Sequence, residues 1–264
     1  MRRTSTILAV ASGKGGVGKS VISVNLAETL ARDGYRVALL DADMAQGACT
    51  VLMNEQPGPS LADAAGRIVS IDDAFRATQS GVTLVEVAQE HEEIPSQPAR
   101  LFPVLDDALD RLARRHDHVI IDCPAGTGDL VRWALDRADM GMLVLVEEPT
   151  AVADAYRLAK LAWMHDINLP LGAVVNFADS ETEAQSVADR FGAITERFTG
   201  NAPTFLGWVP FSMQVRTSVR DQSPAARHAS PIRTAFEHIG ATLNAGTAAT
   251  GSVSPLFRSI SGPN

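Results

Sequence analysis

Short apolar runs alternate with stretches of helical periodicity along almost the whole chain, the pattern that βα units leave in a sequence. Runs at 5–11, 36–40, 82–87, 118–121, 141–146, 171–175 and 205–209 read as strands. Between them, 20–32, 98–115, 130–137, 150–165, 181–198 and 232–243 carry Leu, Val and Ala at three- and four-residue spacings and read as helices. The alternation predicts a doubly wound α/β fold around a single, mainly parallel sheet. No internal repeat and no Pro/Gly-rich linker appears before residue 245, so 1–245 reads as one domain. Residues 246–252 are small and polar and read as a tether to a short C-terminal tail. In that tail Val253, Leu256, Phe257 and Ile260 fall at the spacing of a two-turn amphipathic helix.

Composition narrows the picture. The 264 residues are 45% apolar and 20% charged, which excludes disorder, collagen-like repetition and coiled coil as starting points. A net charge of −8 argues against a generally basic, nucleic-acid-binding surface. Cys49 and Cys123 supply neither a disulfide framework nor the CxxC pairs of zinc and iron–sulfur sites, and they fit a reducing cytoplasm as small packed thiols. Apolar stretches such as 142–146 fall far short of the roughly 20 residues that cross a bilayer.

Chemistry concentrates after the first strand. Gly13-Lys14-Gly15-Gly16-Val17-Gly18-Lys19-Ser20 satisfies G-x-x-x-x-G-K-S at the head of the first helix, with Val21 one residue beyond. Glycines let backbone N–H groups curl around phosphate, and the helix N-terminus adds positive potential. Lys19 then reaches the β/γ oxygens and Ser20 ligates Mg²⁺. Gly13, Gly15 and Gly18 also read G-x-G-x-x-G, but a dinucleotide turn has no use for an ammonium and a hydroxyl where the helix begins. The loop therefore predicts a nucleoside triphosphate with magnesium. Asp41 and Asp43 close the second strand, and Asp122 closes the run at 118–121. Each taken singly is as well explained as a turn or helix cap; three beside one loop suggest the rest of a magnesium site. Gly126 is placed to offer its backbone N–H to a γ-phosphate. His116 and His118, with no third ligand in view, read as a strand entrance.

The extra lysine of the loop, the D-x-D at Asp41 and Asp43, and I-D-C-P-A-G ending at Gly126 resemble the deviant Walker ATPases typified by MinD and ParA, P-loop NTPases of the SIMIBI type. Glu148-Pro149-Thr150, Val174-Val175-Asn176 and Gly207-Trp208-Val209-Pro210 look most like the flagellar-number regulators FlhG and FleN. The resemblance implies a slow ATPase that is monomeric without ATP and a homodimer with it. Lys14 would reach the partner's phosphates, with Asp154 as its contact; Asp43 would orient the attacking water; Ser20, Asp41 and Asp122 would hold Mg²⁺; Asn176 and Pro210 would border the adenine. It also implies a regulatory protein partner, and peripheral contact of 253–264 with the inner face of the membrane or a cell pole. Ser212 departs from the acidic residue usual in that branch. The rival reading is a ParA-type partition ATPase that binds non-specific DNA; Arg216, Arg220, Arg227 and Arg233 against Asp221 and Glu237 make a thin basic patch for it. Iron–sulfur carrier relatives need a C-x-x-C that this chain lacks.

Overall fold

The computed structural model describes residues 5–44, 47–88, 98–228 and 230–249. From β1 (Thr6–Ser12) the chain runs through α1 (Lys19–Arg32) to β2 (Val37–Asp41), then through α2 (Ala48–Leu52) and α3 (Leu61–Ala65) to β3 (Arg76–Ala77) and β4 (Thr83–Glu86). Strand–helix alternation resumes with α4 (Pro98–Arg115), β5 (His118–Ala125), α5 (Asp129–Arg137), β6 (Met140–Leu145), α6 (Pro149–His165), β7 (Leu171–Ala178), α7 (Glu181–Thr199) and β8 (Thr204–Pro210). α8 (Met213–Arg220) and α9 (Pro231–Ala249) close it.

The strands form one sheet in the order β3-β4-β2-β5-β1-β6-β7-β8. All pairings are parallel except β3 with β4. Parallel strands covered on both faces read as unbroken apolar runs, which is why Val37–Asp41 and Met140–Leu145 are buried at every position. α4, α5, α6 and α7 pack on one face, where Leu101, Leu105, Leu109 and Leu112 line one side of α4. α1, α2 and α9 cover the other through Ile22, Leu26, Met53, Phe236 and Ile239. Because α1 leaves β1 on one face of the sheet while α5 and α6 follow β5 and β6 on the other, the loops after these strands diverge at the C-terminal edge, the switch point where sheets of this kind bind ligands in a crevice.

The doubly wound fold and all seven apolar runs are borne out, with differences at the ends. β5 continues to Ala125, so Asp122 lies inside its strand, with its backbone in the ladder. The two-residue β3 and the short α2, α3 and α8 were not anticipated; α3 is held by a capping box in which Ser60 and Asp63 bond each other's backbone N–H. α9 runs past residue 243 to Ala249, so 246–249 continue a helix where a tether was expected. The expected tail helix over 253–260 lies outside the described residues. Among the described residues no helix is long and apolar enough to cross a membrane.

Candidate functional site

The loop between β1 and α1 is shaped by close approach. Gly16 and Gly18 have φ of 81° and 87°, which a side chain rarely tolerates. A Cβ on Gly13 would collide with the backbone of Asp154 on α6, and one on Gly18 with the Asn176 amide. Asn176, buried near the end of β7, donates from Nδ2 to the Val17 carbonyl at 2.8 Å, clamping the loop to the sheet. Ser12 Oγ donates to the Lys14 carbonyl at 2.9 Å from the other side. Gly15 lies against Ala125, and Val21 is half-buried against the core.

The two lysines of the loop differ in environment. Lys19 is 7% exposed, with Nζ 3.9 Å from Asp122 Oδ1. Lys14 is 43% exposed and pairs at 2.6 Å with Glu148 Oε2, itself 58% exposed. An ion pair that wet contributes about 0–1 kcal/mol, so Lys14 is released from it cheaply.

Asp41 and Asp122 stand opposite each other on adjacent strands, β2 and β5. Asp122 accepts from Ser23 Oγ at 2.8 Å, and the Ser20 hydroxyl bonds it too. Asp41 accepts from the backbone N–H groups of Asp43 and Cys49, both at 3.0 Å. Burial, then the charge of Asp122, pushes Asp41 up to about 7; burial raises Asp122 as well, against the pull of Lys19. Cys49 sits among them with its thiol 3.6 Å from Asp122 Oδ2, and burial with the two carboxylates pushes that thiol well up. Asp41, Cys49 and Asp122 form a buried cluster whose ligand atoms lie within 4.8 Å of one another. Two carboxylates and a hydroxyl, gathered where burial penalises negative charge, are hard oxygen donors that suit Mg²⁺; the thiol is the wrong kind of ligand for it.

This arrangement sets a stability prediction. A carboxyl whose folded pKa lies above its unfolded value holds a proton more tightly when folded, so nucleotide-free stability falls as pH rises from about 4 toward about 7. Asp41→Asn removes that penalty. At pH 8, without Mg²⁺ or nucleotide, its Tm is expected to rise by roughly 5 °C, on the scale of 2–4 °C per kcal/mol for a chain of this size. Thermal unfolding followed by circular dichroism checks this; a lowered Tm would mean that Asp41 is not strained by its charge.

Other anticipated residues fall differently. Gly126 has φ of 92°, and its N–H donates to the Ser12 carbonyl at 2.9 Å; β1 and β5 shift register there, and the ladder takes the group expected for a γ-phosphate. Within the chain Asp154 bonds Arg157 at 2.6 Å, one turn along α6, and Glu148 occupies Lys14 instead. Asp43 follows β2 with its backbone tied to Asp41. Pro210 ends β8 beside Ala178. Ser212, in place of the acidic residue, accepts from Gln214 N at 3.1 Å and caps α8, the same service a carboxylate performs. His116 is half-buried between the Leu112 carbonyl and Thr83 Oγ1, each at 2.9 Å, and is a structural tie.

Sequence reasoning missed a network behind α2. Thr50 Oγ1 donates to buried Glu86 at 2.7 Å and Arg76 pairs with the same carboxylate, anchoring the helix that carries Cys49 to the edge hairpin. It also missed Phe177, whose φ of 62° costs on the order of 1–3 kcal/mol. No signal in the letters marks it.

A glycine loop at a helix N-terminus, a buried lysine and two strand-borne carboxylates define a P-loop nucleotide-binding protein. A family model described as "ParA: NUBPL iron-transfer P-loop NTPase" matches residues 3–244. The antiactivator FleN of Pseudomonas aeruginosa is 34% identical over 220 residues, 82% of this chain and 77% of FleN. An iron–sulfur cluster carrier protein of Deinococcus radiodurans is 31% identical over 83% of this chain and 63% of its own length. Among solved structures, the septum site-determining protein MinD of Pyrococcus horikoshii, complexed with Mg-ADP, superposes with a TM-score of 0.74 at 19% identity, covering 94% of this chain and all of MinD. The chain belongs to the ParA/MinD family of P-loop ATPases.

Proposed function

We propose that this protein is an ATP-driven dimerising switch of the MinD/FlhG kind, which hydrolyses ATP slowly and sets the placement or number of a cellular structure, the flagellum first among candidates, through protein partners. The observation that carries this reading is the contrast between the two loop lysines. Lys19 is committed by burial to its own subunit's phosphates. Lys14 is half-exposed on a weak pair with Glu148, free to exchange that carboxylate for the more highly charged triphosphate of a second copy. Such a transfer makes ATP the adhesive between subunits and hydrolysis the release.

Ser20, Asp41 and Asp122 would hold Mg²⁺ with the nucleotide, as Mg-ADP accompanies the Pyrococcus MinD. Bound there, the ion neutralises charge on the phosphate oxygens. The chain supplies the rest: the loop's backbone N–H groups orient the phosphates, Lys19 draws charge toward the bridging oxygens, and Asp43 at the crevice edge positions the attacking water. Asp154, at the mouth of the loop, would face the partner's Lys14.

A partition ATPase needs a basic face, and here Arg220, Arg227 and Arg233 are each ion-paired, with Asp221, Glu28 and Glu237. Among the described residues Arg216 alone of the four makes no ion pair, so the patch offers little free positive charge, which favours a protein partner over DNA. The relative from Pseudomonas, an antiactivator, supports the flagellar branch. The absent C-x-x-C weighs against iron–sulfur transfer.

Lys14→Ala tests the reading. ATP binding is expected within threefold of wild type by titration calorimetry, while the ATP-dependent dimer seen by light scattering is lost. A Lys14→Ala variant that still dimerises with ATP would refute the switch.

A further inference from the structure

We infer that Asp41, Cys49 and Asp122 form a site for a thiophilic divalent cation, zinc(II) foremost, with the Cys49 thiolate as a ligand that Mg²⁺ does not use. The inference goes beyond the ATPase reading, because it concerns the chain without nucleotide. Nothing about binding ATP calls for a thiol beside two carboxylates.

Three elements bring the ligands together: β2 carries Asp41, β5 carries Asp122 and the first turn of α2 carries Cys49. All three residues are buried, and the Cys49 thiol is 3.6 Å from Asp122 Oδ2. A tetrahedral ion with a metal–sulfur distance of about 2.3 Å and a metal–oxygen distance of about 2.1 Å sets those two atoms about 3.6 Å apart, so the pair already has the spacing of ligands on one zinc. The oxygens of Asp122 are divided between two neighbours. Oδ1 accepts from Ser23 Oγ at 2.8 Å and faces Lys19 Nζ at 3.9 Å, which leaves Oδ2 to the thiol side. The Cys49 N–H donates to Asp41 Oδ2 at 3.0 Å, tying the cysteine to the other carboxylate as well. Thr50, the next residue, donates to buried Glu86, so the thiol is held in place before any ion arrives.

The apolar cluster around α1 and α2 explains why position 49 is small and buried. It does not explain sulfur set against two carboxylates. Their two negative charges are matched by the single positive charge of Lys19, and a thiol, a weak donor, offsets little of the remainder. A divalent ion does so, and the thiol proton passes to solvent as the sulfur–metal bond forms. Sulfur then selects the ion: Mg²⁺ keeps oxygen ligands and octahedral geometry, whereas zinc takes thiolate and carboxylate together in tetrahedral sites. Three protein ligands leave a fourth position, with the Ser20 hydroxyl, already bonded to Asp122, beside it. Because Asp41 and Asp122 serve both ions, the thiophilic ion and Mg²⁺ exclude each other. Cys123, adjacent to Asp122 in sequence, packs on the opposite face of the sheet and takes no part.

The test is titration of the full chain, reduced and free of nucleotide, with Co²⁺ as the optical probe. A saturable sulfur-to-cobalt charge-transfer band is expected, and added Zn²⁺ abolishes it. Cys49→Ser is expected to lose the band and to bind Zn²⁺ weaker by roughly a hundredfold or more, measured against a chromophoric chelator. Cys123→Ser is expected to keep the band and the affinity. Cadmium NMR of the wild-type chain reads the ligand set with no variant: a resonance in the range of one sulfur with oxygens supports the site, and one in the all-oxygen range overturns it. A band that survives in Cys49→Ser, or is lost in Cys123→Ser, would place the ion elsewhere and overturn the proposal. Equal Zn²⁺ affinity in wild type and Cys49→Ser would also overturn it, reducing the cluster to two carboxylates beside a packed thiol. No nucleotide enters these measurements, so a chain that failed to bind or hydrolyse ATP would leave their outcome unchanged.

Discussion

Lys19→Ala is expected to abolish ATP binding, with affinity reduced more than a hundredfold, while the chain stays folded. Two effects act in the same direction. The variant loses the ammonium that charge-assisted hydrogen bonds to phosphate require, worth about 1.5–3 kcal/mol for a single bond. It also leaves Asp122, completely buried on β5, without the cation 3.9 Å away that offsets its charge beside Asp41. An incoming triphosphate then meets negative potential in a site of low dielectric, where repulsion is least screened. Lys19→Met keeps the buried stem and separates charge from packing: it should bind as poorly as Lys19→Ala but unfold at a higher temperature. Calorimetry with Mg-ATP beside thermal denaturation reads both. Affinity within tenfold of wild type in the Met variant would show that backbone N–H groups alone hold the phosphates.

The loop that carries this prediction was legible because its function demands particular letters: glycine where φ is positive, lysine and serine where the helix starts. The sheet was legible for a related reason, since strands buried on both faces leave no room for polar positions. What escaped depended on register or on brevity. α2 and α3 are five residues long, too short for a helical period to repeat, and β3 has two. The bond from Gly126 to Ser12 and the outward turn of Phe177 both arise at irregularities between neighbouring strands, and such shifts are set by the alignment of chains that are distant in sequence. Lys14 could be picked out as unusual, but its pair with Glu148 within the chain joins residues 134 positions apart, which no local pattern marks.

The aspartates also divide by environment, and that division predicts different losses. Asp41 and Asp122 are buried and pushed upward in pKa, suited to meeting a cation. Asp43 lies two residues beyond Asp41, outside the ladder and half-buried, with its backbone fixed by the Asp41 carboxylate at 3.0 Å and by Gly47 N at 3.3 Å. A side chain on so constrained a backbone at the crevice edge is suited to orienting water and poorly placed to bind phosphate, toward which its charge is repulsive. Asp43→Ala is therefore expected to bind ATP as well as wild type or slightly better, and to persist as the ATP dimer. Its kcat should fall by about 10²-fold or more, the usual scale for a residue that positions or deprotonates a nucleophile. Single-turnover phosphate release measures the chemical step, and light scattering over the same time course follows the dimer. Asp43→Asn separates orientation from charge: an amide retains a carbonyl acceptor for water, so partial turnover would assign Asp43 to positioning, and loss equal to that of Ala would assign it to proton acceptance. Turnover in Asp43→Ala within threefold of wild type would remove this residue from the mechanism.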